Sequence, residues 1–264
     1  MTETDRRLAA RRLLWEDALR GCDLVGKRAL DAGTGEGHAT RFLAERRPAA
    51  LVSVSAVAED FRAAAARLGE LAANVEFRLA DLTRLTGIAD ASFDVVFADF
   101  LIAAVSAFAP YREIECLAEL VRVLKPGGRL VITGWELVGP PRDPLDQRLR
   151  LLFSLREAAS RLAGEASYRE HPAWWIAARL ADLDTPAERT VVHPDVHRDF
   201  RWFGGQIRRL LEGLEPPLAA ALRQRLADLE AGVVDHPAFA AGYEFGALYA
   251  VVATGLRGGV RLGP

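Results

Sequence analysis

Much that would announce a specialised chemistry is missing from this chain. Its two cysteines, Cys22 and Cys116, lie far apart with no CxxC spacing, which excludes a disulfide framework and a thiolate metal site. Its five histidines form no HExxH motif, so no bound metal is expected. No apolar run is long enough to span a bilayer, and the charged, helix-like opening does not read as a signal peptide. A reduced cytoplasmic compartment and no membrane partner are the expectations. Lys27 and Lys125 are the only lysines and Asn74 the only asparagine, a bias that fits GC-rich coding or a hot habitat and says nothing of function. A basic tract is also lacking: Arg6, Arg7, Arg11, Arg12 and Arg20 stand among Glu3, Asp5, Glu16 and Asp17, and the formal net charge is −2. Tracking a nucleic-acid backbone needs clustered positive charge, so nucleic acid is not an expected partner.

What remains is a chain of 264 residues, half hydrophobic and 27% charged, the make-up of a packed, enzyme-sized protein. Residues 5–20 place Leu8, Ala9, Leu13, Trp15, Ala18 and Leu19 at helical spacing before Gly21, which predicts a leading amphipathic helix within 1–22. Short apolar runs follow at 28–32, 51–55, 75–79, 93–98 and 128–133, separated by helix-length segments at 40–46, 60–71 and 111–124. Alternating strands and helices imply a parallel sheet with right-handed crossovers, occupying 23–138. Lys125-Pro126-Gly127-Gly128 reads as a stop and turn before the fifth strand. From Gly139 to about 240 the pattern becomes helical, at 144–163, 173–183, 200–211 and 218–231, with one strand near 189–193. A last strand at 245–255 belongs to a closing segment, 241–264. With no repeat or linker in sight, the 139–240 segment is expected to be a cap packed on the sheet.

The most informative stretch runs from Arg28 to His38, where a strand leads into Asp31-x-Gly33-x-Gly35-x-Gly37 and then a helix. Glycines at such a bend let backbone amides approach a ligand that a Cβ would repel, and a helix N-terminus adds donors. An adenosine-containing cofactor suits that geometry. The dinucleotide spacing GxGxxG is not met, because the third glycine comes one residue early, and no Gly-Lys-Ser/Thr follows for a phosphate loop.

In these residues the chain resembles the class I S-adenosylmethionine-dependent methyltransferases. The resemblance continues through Phe77–Leu82, Ala91–Asp99 and Leu120–Ile132, in the family's order, and covers about residues 25–135. It implies a Rossmann-like α/β fold, a twisted, mainly parallel seven-stranded sheet with an antiparallel strand, carrying the helical cap. It further implies that Asp31, Gly33, Gly35 and Gly37 surround the methionine and ribose parts of S-adenosylmethionine, that Asp81 accepts from the adenine amino group beside Leu82, and that Asp99 and Phe100 stand between cofactor and acceptor. Asp81 and Asp99 are equally suited to cap helices.

One departure stands out. At the end of the second strand the family usually carries an acid that grips the ribose hydroxyls, and here the position is Ser55, with Glu59 and Asp60 following. A lost bidentate, charge-assisted contact costs on the order of 1–3 kcal/mol. Either Glu59 or Asp60 reaches back, or the cofactor is held less tightly, or the site has drifted from methyl transfer altogether. For the acceptor, the ring-rich cap (Tyr168, His171, Trp174, Trp175, Trp202, Phe203) suggests a small apolar or aromatic metabolite, and His193 and His197, flanking Pro194-Asp195, are the candidate bases together with Asp99. Methyl transfer, leaving S-adenosylhomocysteine, is the expected reaction, by alignment and desolvation, with a homodimer as the oligomeric option. Its rival is a non-methylating S-adenosylmethionine-binding protein on the same scaffold, a regulatory partner or a user of the cofactor's charge. A nicotinamide-dependent oxidoreductase is disfavoured by the glycine spacing.

Overall fold

The computed structural model describes residues 3–255. Seven strands form one sheet: β1 (Arg28–Ala32), β2 (Ala50–Ser55), β3 (Val75–Leu79), β4 (Phe93–Asp99), β5 (Leu124–Glu136), β6 (Ala187–His197) and β7 (Tyr243–Thr254), in the order β3-β2-β1-β4-β5-β7-β6. β2, β1 and β4 are each buried almost end to end, and β5 from Leu130 to Gly134, as strands covered on both faces must be, and their pairings, with that of β3, are parallel. β7 runs against them: Gly255, just past its end, exchanges backbone hydrogen bonds with Gly127 and Gly128 near the start of β5. The expected α/β fold with one antiparallel strand is therefore present.

One face of the sheet is covered by α4 (Leu101–Phe108), α5 (Glu113–Val123) and α7 (Ala173–Asp182), through Leu101, Ile102, Leu117, Leu120, Ile176 and Leu180. On α1 (Glu3–Ala18), Trp15 packs against Phe97 of β4 and Phe42 of α2 (His38–Ala44). Leu13, expected on the buried side of α1, is exposed; Leu14 is buried in its place. The crossover from β2 to β3 is α3 (Ala58–Leu68) followed by a 3-10 turn at Gly69–Asn74.

Lys125–Gly128 do not stop the chain before the fifth strand. Phe93 already pairs with Leu124, and pairing resumes at Val95 with Arg129, so these residues bulge out inside β5. Lys125 Nζ holds both oxygens of Asp94 at 2.9 Å. The unforeseen α4 is an almost uniformly apolar run, which has no periodicity to separate helix from strand.

The chain divides into two compact units. The sheet unit holds residues 9–136, 169–193 and those from 248 on; the other holds those up to 8, 137–168 and 194–247, so the division falls inside β6 and β7. In the second unit α6 (Pro144–Leu162), α8 (Arg201–Leu211), α9 (Pro216–Glu230) and α10 (Ala238–Ala241) pack around Leu149, Leu152, Phe203, Ile207, Leu226 and Phe239. Asp143 caps α6 by accepting from Asp146 N at 2.8 Å, with Pro144 in the first turn. Residues 169–193, in the middle of the segment expected as a cap, group with the sheet. The tail beyond Gly255 lies outside the described residues. Among them, no helix is long and apolar enough to cross a membrane.

Candidate functional site

Strand order reverses between β1 and β4, and in open α/β sheets ligands bind at the carboxyl ends of strands beside such a switch. β1 ends there in the glycine loop. Gly33 N and Thr34 N both donate to Val54 O at 2.9 Å, which pins the loop to the end of β2. Gly33, Gly35 and Gly37 all have positive φ. A Cβ on Gly37 would lie 2.6 Å from Ala64 Cα of α3, so only glycine lets the two helices approach; one on Gly35 would meet nothing within 4 Å, leaving its backbone open to a ligand.

Beneath the loop Asp31 is fully buried. Its Oδ2 accepts from Thr40 Oγ1 at 2.5 Å and Ser53 Oγ at 2.8 Å, while Oδ1 has no partner. Burial first, with the charge of Asp99 adding to it, pushes its pKa up to about 7. A buried carboxylate oxygen left without a donor, under a backbone cradle, fits a ligand that brings a positive charge or N–H groups, as S-adenosylmethionine does. The cofactor's chemistry and this donor set agree.

At the next strand end, Ser55 does not stand alone. Its Oγ donates to Asp60 Oδ2 at 2.5 Å and accepts from Val57 N at 3.0 Å, so the first turn of α3 returns a carboxylate to the position. After β3, Asp81 Oδ1 accepts from Thr83 N at 2.8 Å and Thr83 Oγ1 at 2.7 Å, while Arg112 stands 3.4 Å from Oδ2. These bonds, those from Thr83 foremost, hold the Asp81 carboxyl below its ordinary range. One oxygen thus caps the turn, as its residue type foretold, and the other faces outward beside buried Leu82.

The end of β4 is more densely wired. Asp99 Oδ1 accepts from Trp15 Nε1 at 2.8 Å and Thr133 Oγ1 at 2.5 Å, and Oδ2 pairs with Arg11. Phe100 follows in a left-handed conformation, φ 54°, its N–H turned to Thr133. Glu170 joins this end of the sheet by accepting from Trp135 N at 3.4 Å. Burial chiefly, then the charge of Asp99, lifts its pKa to about 8 against the opposing pull of that hydrogen bond and of Arg11. Neither Arg11 nor Glu170 carries a local sequence signal. The i,i+4 spacing of Arg11 and Trp15, which puts both on one face of α1, is the one signal that could have paired these two residues.

The two histidines expected as bases have other engagements. His193 Nε2 lies 2.9 Å from Asp17 Oδ2, beside Arg189, whose guanidinium bonds the Asp17 and Ala18 carbonyls at the end of α1. In the helical unit His197, 2% exposed, sits 3.1 Å from Asp195 Oδ2 and packs on Phe200 and Phe245. The rings behind the aromatic-acceptor expectation are largely packing residues. Phe203 stacks on Phe153 at 4.4 Å, Trp202 lies under the Arg7 guanidinium, and Trp175 stacks on His171 at 4.1 Å. Trp174 is 70% exposed. Among the described residues no group of three or more His, Cys, Asp or Glu could hold a metal ion.

The comparisons with known proteins meet this geometry. Residues 30–132 match a family model described as a methyltransferase domain. Over 256 residues, 92% of this chain and 84% of the relative, the sequence is 33% identical to a trans-aconitate 2-methyltransferase from Azoarcus sp.. Over 128 residues it is 38% identical to a demethylmenaquinone methyltransferase from Thermus thermophilus, a match that spans 48% of this chain and about half, 54%, of that relative. Among solved structures, a cyclopropane-fatty-acyl-phospholipid synthase-like protein from Lactobacillus casei superposes with a TM-score of 0.67 over 94% of this chain and 91% of its own, at 17% identity, a likeness of fold alone.

Proposed function

The chain belongs to the S-adenosylmethionine-dependent methyltransferase family, and from that premise we propose that it transfers the methyl group to a small, polar metabolite brought to the ends of β4 and β5. The observation that carries the reading is the open glycine cradle above the unpartnered oxygen of Asp31, opposite Asp99 at the switch in strand order. When bound, S-adenosylmethionine supplies an already activated methyl group, so the protein has to position, exclude water and little else.

Gly33, Gly35 and Gly37 offer backbone to the cofactor and Asp31 a carboxylate to its cationic end. Asp60, tethered by Ser55, faces the ribose hydroxyls, and Asp81 with the Leu82 backbone faces the adenine edge. Asp99, held by three donors, and Phe100 form the wall between cofactor and acceptor. This reading gives no base role to His193 or His197, because one is spent on Asp17 and the other lies in the core of the helical unit. The apolar or aromatic acceptor keeps less support, since Phe203, Trp175 and His171 are packed while Trp174 and Tyr168 are exposed. The relative named for trans-aconitate favours a small polar acceptor instead. The mixed surface charge and net charge of −2 favour a metabolite over nucleic acid.

Calorimetry with S-adenosylmethionine and S-adenosylhomocysteine, with nicotinamide cofactors as controls, tests the cofactor. Transfer of a labelled methyl group to a panel that includes trans-aconitate tests the reaction. Micromolar binding and a methylated product are expected. A folded protein that binds neither adenosyl compound overturns the reading, and binding without transfer to any acceptor favours the non-methylating rival.

A further inference from the structure

Arg11 is spent on only one of its capacities. Its guanidinium pairs with Asp99 Oδ2 through one terminal nitrogen, while Nε is buried with no hydrogen-bond partner. Asp99 does not need it for fixation, since Trp15 and Thr133 already hold Oδ1. The guanidinium carbon lies 4.8 Å from the Phe100 ring centre and 5.4 Å from that of Trp15, aromatic contacts that steady a cation without consuming its N–H donors. The side chain stays 29% exposed and is not sealed in the core. Its charge is also felt at His38, the first residue of α2 after the glycine loop, whose pKa is lowered by burial and then by Arg67 and Arg11.

A planar fork with a donor in hand matches a carboxylate, which takes two parallel N–H bonds and repays the desolvation of a half-buried cation. We propose that Arg11 is a carboxylate receptor at the acceptor side of the site, so that the acceptor class is a small carboxylic acid held between Arg11, Phe100 and the end of β5. The inference rests on the methyltransferase reading and deepens it. The local charge admits such a ligand: Asp99 is balanced by Arg11, and Glu170, its pKa lifted to about 8, is largely neutral at pH 7. The same chemistry is carried by the amino-acid tail of the cofactor, and the test separates the two sources.

Wild type, Arg11→Ala and Arg11→Lys are titrated with S-adenosylhomocysteine, with 5′-methylthioadenosine, which lacks the amino-acid tail, and with trans-aconitate in the presence of saturating S-adenosylhomocysteine. An acceptor carboxylate on Arg11 gives a loss of about tenfold or more for trans-aconitate in Arg11→Ala, a smaller loss in Arg11→Lys, and unchanged binding of both adenosyl compounds. A loss for S-adenosylhomocysteine but not for methylthioadenosine moves the carboxylate to the cofactor tail and overturns the acceptor assignment. Equal weakening of both adenosyl compounds means a structural role for Arg11 and overturns carboxylate recognition altogether, as does a variant indistinguishable from wild type on every probe. Wild type that binds no adenosyl compound defeats the methyltransferase reading itself, a result separate from any of these.

Discussion

Single side chains carry two sharp expectations. Gly37 has a left-handed φ of 81° and no room for a Cβ against Ala64, so Gly37→Ala combines backbone strain with a clash between two helices. It is expected to cost about 2–4 kcal/mol in stability by urea denaturation, from those two contributions, and to weaken S-adenosylhomocysteine binding. Glu170 is neutral below its raised pKa of about 8 and anionic above it. Ionisation beside Asp99 repels a carboxylate ligand, so kcat/KM for a carboxylic acid acceptor should fall as the pH rises through about 8, and Glu170→Gln should remove the fall. A wild-type pH profile flat from 7 to 9 would count against the placement of Glu170 at the acceptor end.

Among the elements, the crossover from β2 into α3 shows how a missing acid is replaced. β2 ends in a hydroxyl, but the chain turns at once into α3, and a residue five positions on, in the first helical turn, comes back to the strand end. The N-terminus of a helix tolerates that negative charge well. Asp60→Asn is expected to weaken S-adenosylhomocysteine binding roughly tenfold by calorimetry, the cost of one charge-assisted contact, with Ser55→Asp restoring most of it in the same chain. Asp60→Asn binding as tightly as wild type would show the ribose to be held elsewhere.

For the protein as one cooperative system, Asp31 ties global stability to pH. Its carboxyl has an ordinary value of 3.8 when exposed and one of about 7 when folded, so between those values the native state holds a proton that the unfolded chain has released. Stability from this group is therefore fully present below pH 4, is lost as the pH rises toward 7 and changes no further above it. Denaturation at pH 5 and pH 8 should show wild type losing on the order of 1–3 kcal/mol relative to Asp31→Asn, the equivalent of one to two pKa units of that linkage. Saturating S-adenosylmethionine, by stabilising the ionised carboxylate, should shrink the difference. If the two chains keep the same stability gap at both pH values, Asp31 is not the buried acid described.

The glycine loop, the run of buried strands and the helices between them other than α4 were legible along the chain, because each is written in local terms: φ that only glycine adopts, apolar runs of strand length, amphipathic periods closed by a turn. Family resemblance then followed from the order of those local blocks. Asp31, Gly33, Gly35, Gly37, Asp81 and Asp99 stand at or just beyond the ends of β1, β3 and β4. What could not be read was which distant groups meet. Whether Ser55 had a carboxylate beside it depended on the path of α3, and whether His193 and His197 were free depended on Asp17, 176 positions from His193, and on the ring core of the helical unit. Arg11 and Glu170 are an unremarkable arginine and glutamate until α1 and the segment before α7 bring them to the end of β4 and β5. Local pattern suffices where a residue's role is conformational. Where the role is electrostatic, it depends on burial and on charges far away along the chain, and these exist only once the chain has packed.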